Sequence, residues 1–228
     1  VCDMHGAVAK KERIAMEAGG HGGMNRRIRD FFDERAEKWD AVVCPRHADR
    51  LAALMARLDI PREARILDVG SGTGVLLPLL APDDGHARHV VAVDVSFGML
   101  RMAVRRDVCR RDRTAFIQAD AVAPPFKDAV FDWVVCNSVF PHFTDQAACV
   151  AQLARILVFG GRFVVCHSQG REAINALHNA HGGAIGGHEL PEESAMVQMM
   201  EQAGLRTILH EDACDHYLLL AIKEGINV

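Results

Sequence analysis

Aromatic side chains are scarce in this 228-residue sequence, with two tryptophans, one tyrosine and ten phenylalanines, so an aromatic cage for a flat ring is not evident. Long apolar runs are missing too. No stretch approaches the roughly 20 residues a helix needs to cross a bilayer, and no signal-peptide core opens the chain. The expectation is a cytoplasmic protein without membrane contact. Seven cysteines stand at positions 2, 44, 109, 136, 149, 166 and 214, an odd number without a CxxC pair, which argues against a disulfide scaffold or a zinc knuckle. Cys136 and Cys166 end apolar runs and read as small buried hydrophobes, in keeping with a reducing compartment. An excess of positive charge is also lacking. With 26 Lys and Arg against 30 Asp and Glu the net charge is −4, so no electropositive face for a phosphate backbone is expected, and no nucleic-acid partner. The Arg-rich run from Arg101 to Arg113 falls on a predicted amphipathic helix, where it reads as a solvated face.

What remains is ordinary globular composition, 50% apolar and 25% charged, at a length that suits one α/β core. Residues 1–28, which include AGGHGGM at Ala18 to Met24, are expected to be a flexible segment. Residues 29–228 are expected to form a single domain with N-terminal cap helices and a His-rich insertion at 168–190. From Arg27 to Asp40, Ile28, Phe31, Phe32 and Trp39 recur at mostly helical spacing, which predicts a helix able to close over a ligand. A second helix follows Pro45, with Leu51, Leu54, Met55 and Leu58 on one face and a stop before Pro61.

Beyond Arg65 the pattern changes. RILDV, HVVAVDV, AFIQAD, FDWVVCN and RFVVCH alternate with helical segments at Gly74 to Leu80, Phe97 to Arg106 and Asp145 to Leu157, which signals βαβ units and a parallel sheet covered on both faces. A further helix at Glu192 to Ala203 leads into Gly204. RTILHE and HYLLLAIK then lie too close together for a crossover helix, so they are expected to pair antiparallel.

The strongest chemical signal is Ile66-Leu67-Asp68-Val69-Gly70-Ser71-Gly72-Thr73-Gly74, a strand entering a glycine-rich turn and then a helix. Glycine there permits tight turning and close backbone approach to a ligand. The spacing is GxGxG, and Val75 occupies the place where a dinucleotide fingerprint requires glycine or alanine, which argues against NAD. The next strand ends at Asp94, whose carboxylate is placed to accept both ribose hydroxyls of a nucleoside lying across the strand tips.

These motifs resemble the class I S-adenosylmethionine-dependent methyltransferases of small-molecule type, over Asp30 to Ile222. ILDVGSGTG resembles the family's glycine-rich motif, with Asp68, Gly70, Ser71 and Gly72 in it. VVAVDVSFGML resembles its ribose motif, implying Asp94 on the ribose and Val95 and Met99 beside the adenine. IQADAVAPPF resembles the adenine motif, implying Asp120 and Ala121 near the exocyclic amine. FDWVVCNSVFPHF resembles the fourth motif, implying Asn137 and Ser138 under the methionine portion. RILVFGGRFVV resembles the segment entering strand five, with Val158-Phe159 in place of the usual Lys-Pro. DFFDERAEKWD resembles the N-terminal helix that covers the cofactor. The resemblance implies a Rossmann-like, doubly wound α/β fold, a mostly parallel seven-stranded sheet with a C-terminal antiparallel hairpin. It also implies S-adenosylmethionine as cofactor, S-adenosylhomocysteine as product and a small-molecule acceptor.

In a parallel sheet the reacting groups lie beyond the carboxyl ends of the strands. His142, five residues after Asn137, and His167, ending the adjacent strand, are therefore candidate catalytic bases. Arg171, Asn175 and His178 follow at spacings of four and three, one face of a helix suited to an anionic acceptor. His178, His181 and His188 could join His142 or His167 as ligands of zinc or another transition ion, but their spacing matches no zinc motif and glycine pairs at Gly182 and Gly186 suggest mobility, so no metal is assigned. The competing expectation is a non-catalytic S-adenosylmethionine-binding or metal-sensing module built on the His-rich segment.

Overall fold

The computed structural model describes residues 14–16, 23–42, 46–82, 88–106 and 113–225. Cys2, Cys44, Cys109 and part of the Arg101 to Arg113 run lie outside them. Helix α1 (Gly23–Arg35) leads through a 3-10 turn (Ala36–Lys38) into the short α2 (Trp39–Val42). The helical segment therefore begins four residues before Arg27. Helix α3 (His47–Ala56) buries Leu51, Leu54 and Met55, and Leu58 just beyond it, as their spacing predicts. Each such burial is worth on the order of 2 kcal/mol.

The sheet strands are β2 (Arg65–Val69), β3 (His89–Asp94), β4 (Thr114–Gln118), β5 (Phe131–Asn137), β6 (Leu157–His167), β7 (Leu205–Ala213) and β8 (His216–Lys223). These seven form the expected sheet: β2 to β6 run parallel, β8 pairs antiparallel with β6, and β7 pairs antiparallel with β8. Three residues that the sequence pattern gave no reason to read as a strand, β1 (Ile14–Met16), add a parallel edge beside β4, giving the order β1-β4-β3-β2-β5-β6-β8-β7.

Helices cover both faces. Trp133 and Val135 of β5 pack on the side of α3 and of α5 (Phe97–Arg105), with α4 (Leu77–Leu80) beside them. Val134 and Cys136 pack on the side of α6 (Gln146–Ile156) and α8 (Glu193–Gln202). Alternation of side chains along a strand buried on both faces accounts for this division. Helix α4 is shorter than the sequence suggests, because Gly72 and Gly74 adopt positive φ and Pro78 lies in its first turn.

The chain moves outward from β2 through β3 to β4 and then returns to place β5 on the other side of β2. The loops therefore diverge between β2 and β5, which opens a crevice at the carboxyl ends of these strands. Register pairs Val69 with Cys136, so Gly70 and Asn137 leave the sheet side by side.

Candidate active site

A cavity of about 760 Å³ fills that crevice. Its floor is the turn after β2. Gly70 has φ +64°, and a Cβ built there would lie 2.2 Å from Cγ2 of Val139. Only glycine fits that place. Gly72 has φ +54°, but a Cβ on it would meet nothing closer than 4.0 Å, so its bare face looks into open space. Beside it, Asp94 ends β3 and accepts the amide hydrogens of Gly72 and Ser96, each at 2.8 Å. Burial pushes the Asp94 carboxyl up to about 6, the two amide bonds opposing that rise. Ser96 caps α5 by accepting from the Met99 amide at 3.0 Å, which fixes Met99 against the cavity.

Across the switch point, Asn137 ends β5 and Ser138 adopts φ +54°. That conformation is uncommon for a residue with a side chain and is typical of strained turns at functional sites.

The N-terminal helices form a lid. Asp33 of α1 accepts from Oγ of Ser96 at 2.6 Å and from the Gly98 amide at 2.7 Å. Asp40 of α2 accepts from Oγ1 of Thr73 and from Arg106, both at 2.5 Å, while Arg106 also donates to the Thr73 carbonyl at 2.8 Å. Phe32 stands edge-on to both Trp39 and His142, with ring centroids 5.2 Å apart in each pair.

The far end is built from histidines and aliphatic residues. Helix α7 (Arg171–His181) and the turn after it contribute Ile174, Leu177, His178, His181 and Ile185. The His142 ring lies 4.8 Å from that of His178, and its Nδ1 is 3.1 Å from Nδ1 of His188. Burial, with the neighbouring imidazoles, holds His142 well below the usual histidine range. His167 is driven down to about 3 for the same reasons, and its Nε2 is buried without a hydrogen-bond partner. Both histidines line the cavity. Burial favours the neutral form of both rings.

Gly70, Ser71, Gly72, Asp94, Val95, Met99, Asp120, Ala121 and Asn137 all line the cavity. Asp68 does not. Strand alternation turns it to the same side as Ile66, where it is 1% exposed with Oδ2 unpartnered, and burial beside Asp94 raises its carboxyl to about 7.

Of the helical trio, His178 alone reaches the cavity. Arg171 turns outward to Asp212, which accepts its amide at 2.9 Å and lies 3.7 Å from its guanidinium. Asn175 brackets Leu190, donating to its carbonyl at 3.1 Å and accepting its amide at 2.8 Å. The site facing an anion that their spacing suggested is therefore not formed.

Sequence reasoning missed Asp33, Asp40 and Arg106. It also missed the pair at the rim in which His47 Nδ1 lies 2.7 Å from Oγ of Ser168, with Arg50 donating to the Ser168 carbonyl at 2.7 Å. Among the described residues no cluster of three His, Cys, Asp or Glu has the geometry to hold a metal ion. No helix among them is long and apolar enough to cross a membrane.

The Methyltransferase domain family matches residues 67–165. The chain is 39% identical over 145 residues to a demethylmenaquinone methyltransferase of Thermus thermophilus, covering 59% of this chain and 63% of that protein. It is 36% identical over 140 residues to a malonyl-[acyl-carrier protein] O-methyltransferase of Geobacter sulfurreducens, covering 60% and 51%. The chain thus spans between half and two thirds of the length of these relatives. Its fold is similar to that of a Haemonchus contortus phosphoethanolamine N-methyltransferase solved with S-adenosylmethionine, at a TM-score of 0.70 and 16% identity, covering 90% of this chain and 61% of that one.

Proposed function

We propose, from the premise that residues 67–165 are a class I S-adenosylmethionine-dependent methyltransferase domain, that this chain transfers the methyl group of that cofactor to a small molecule held under its lid. The observation that carries the reading is Asp94, tied to the Gly72 amide on the wall of a cavity that continues from the glycine turn to Asn137 and the histidines.

The residues fit the cofactor. Ser71 has a buried Oγ without a hydrogen-bond partner, an atom that a polar ligand would satisfy. The open space over Gly72 admits a ligand where any side chain would intrude. In this reading Asp94 holds the ribose hydroxyls, Val95, Met99, Asp120 and Ala121 border the adenine, and Gly70 to Gly72 with Asn137 hold the methionine portion. The cofactor supplies an electrophilic methyl group on a sulfonium. The chain's part is to orient the acceptor in line with it and to exclude water. Phe32, Trp39 and the Asp33 and Asp40 contacts do the second by closing the lid across the crevice.

A small-molecule acceptor is supported by the cavity's size, which lies within the range of small-ligand sites, and by its lidded mouth. The name of the Thermus thermophilus relative, which refers to demethylmenaquinone, points the same way.

The test is calorimetric titration of S-adenosylmethionine, S-adenosylhomocysteine and NAD into the protein and its Asp94→Ala variant. Binding of the first two, lost in the variant, is expected. A preference for NAD, or no binding, overturns the reading.

A further inference from the structure

His178 is held through a backbone carbonyl, as the exposed His181 is by that of Leu177 at 3.1 Å, but His178 is buried. Its Nδ1 lies 2.6 Å from the backbone carbonyl oxygen of His188. A carbonyl only accepts, so Nδ1 carries the hydrogen and the neutral ring keeps its lone pair on Nε2. No hydrogen bond among the described residues engages that Nε2, and the side chain lines the cavity. A base oriented through one ring nitrogen, with the other open to the ligand, is the arrangement that proton removal requires.

The neighbours are less suited. His142 meets Nδ1 of His188, a ring nitrogen that does not fix its tautomer as a carbonyl does, and its ring lies against Phe32. His167 has its Nε2 sealed from solvent. The titratable groups around His178 are His142 from the turn after β5, His188 across the loop, His181 on its own helix and His167 at the tip of β6. Burial, with His181 beside it, leaves His178 below the ordinary histidine value, and the bond to the His188 carbonyl offsets part of that fall, an offset that His142 and His167 lack.

The surroundings of His178 also limit what it can meet. Ile174 lies one turn before it and Leu177 beside it, Ile185 packs in the following turn, and Phe143 and Phe32 line the same cavity. Leu177 is 48% exposed and lines the cavity beside Ile174. Of the cations that line the cavity, Arg106 is paired with Asp40 and Arg35 with Glu34, and these and Lys38 come from the lid helices and the end of α5, whereas Arg171 of α7 is paired with Asp212 outside it.

We infer that His178 removes the acceptor's proton and that the acceptor is an uncharged, largely apolar molecule bearing a hydroxyl group. This rests on the methyltransferase reading. The acceptor oxygen forms a bond to the methyl carbon, and the bond from that carbon to sulfur breaks with its electron pair left on sulfur. The hydroxyl proton passes to Nε2 of His178, which becomes an imidazolium until solvent relieves it.

Two measurements test this. In long-range proton–nitrogen spectra of the wild-type protein, His178 is expected as the Nδ1–H tautomer. An Nε2–H ring overturns the proposal without recourse to a variant. In the second, 1-naphthol, 4-butylphenol, 2-naphthoate and 2-naphthylmethylamine are offered with S-adenosylmethionine, and S-adenosylhomocysteine is measured.

Turnover of the two neutral hydroxyl compounds is expected. In His178→Gln, kcat is expected to fall about 100-fold or more, with the KM for 1-naphthol and the cofactor affinity held within threefold and the acid limb of the kcat–pH profile lost. Cofactor binding without turnover of either hydroxyl compound overturns the proposal, as does preference for the carboxylate or the amine, or a variant kcat within threefold of wild type. Each of those results leaves the methyltransferase reading standing. Failure to bind S-adenosylmethionine removes both.

Discussion

Oδ2 of Asp94 accepts the amide hydrogen of Gly72 at 2.8 Å, so the tip of β3 holds the turn that leaves β2. The same carboxylate takes the Ser96 amide through Oδ1, and Ser96 in turn caps α5. One side chain therefore organises three elements around the cavity. Asp94→Ala leaves two amides without their acceptor. It is expected to cost about 1–3 kcal/mol of stability per amide that water does not reach and to weaken S-adenosylmethionine binding at least tenfold. Thermal unfolding and calorimetry, run on the same preparation, separate the two effects.

Gly70 and Gly72 are predicted to fail differently. A methyl group at Gly70 collides with Val139 at 2.2 Å and is held at positive φ. Gly70→Ala should therefore lower stability by several kcal/mol, combining overpacking with backbone strain. Gly72→Ala meets no neighbour closer than 4.0 Å, so its cost in the empty protein should be about 1–2 kcal/mol, the strain alone. Its methyl group instead occupies the open floor, and cofactor affinity should drop with the fold intact. Denaturant unfolding beside ligand titration checks the contrast; equal stability losses in the two variants would refute it.

How far the sequence revealed this site depended on the range of the interactions. Asp94, Gly70 and Gly72 were legible because a strand, a tight turn and a helix follow one another in the chain, and each step leaves a local mark. Asp33 and Asp40 left none, since their partners Ser96 and Arg106 lie 63 and 66 positions away. The helix carrying Arg171, Asn175 and His178 was legible, but the direction of its faces was not. Which side of α7 looks into the cavity is set by Asp212 on β7 and by the returning loop at Leu190, and periodicity is silent about packing between distant segments. Asp68 is a different case, decided locally. It belongs to the glycine-rich motif, yet alternation along β2 turns it from the cavity, leaving a buried carboxyl with an unpartnered oxygen.

The buried imidazoles make stability depend on pH. His167 sits at about 3 in the folded protein against an ordinary value of 6.5. Below pH 6.5 the unfolded chain therefore gains a proton that the folded chain refuses, and stability falls as pH drops toward 3, by up to about 1.4 kcal/mol per unit. Above pH 6.5 this group has no effect. His167→Phe keeps a ring against Tyr217, 6.1 Å away in the wild type, and removes an unpartnered buried nitrogen. Its unfolding free energy should match or exceed that of wild type at pH 7.5 and decline less steeply from pH 6.5 to 4. Parallel slopes in urea titrations at those pH values would show that His167 is not held neutral.

Arg171 and Asn175 provide the sharpest check on how α7 faces the cavity. Arg171 is half-exposed and bound to Asp212 outside the site, so Arg171→Ala should change stability by less than about 1 kcal/mol, as partly exposed pairs do. It should leave acceptor KM and kcat unaltered. Asn175→Ala removes both bonds that bracket Leu190, at 3.1 and 2.8 Å, and Leu190 is fully buried. A loss of about 1–3 kcal/mol is expected from the unpaired backbone groups. The same bracket steadies the loop bearing His188, whose carbonyl fixes the His178 ring, so kcat should also fall in Asn175→Ala while cofactor affinity holds. If Arg171→Ala instead raises KM for an acceptor several-fold with stability unchanged, its side chain meets the acceptor, and the orientation of α7 described above is wrong for the ligand-bound protein.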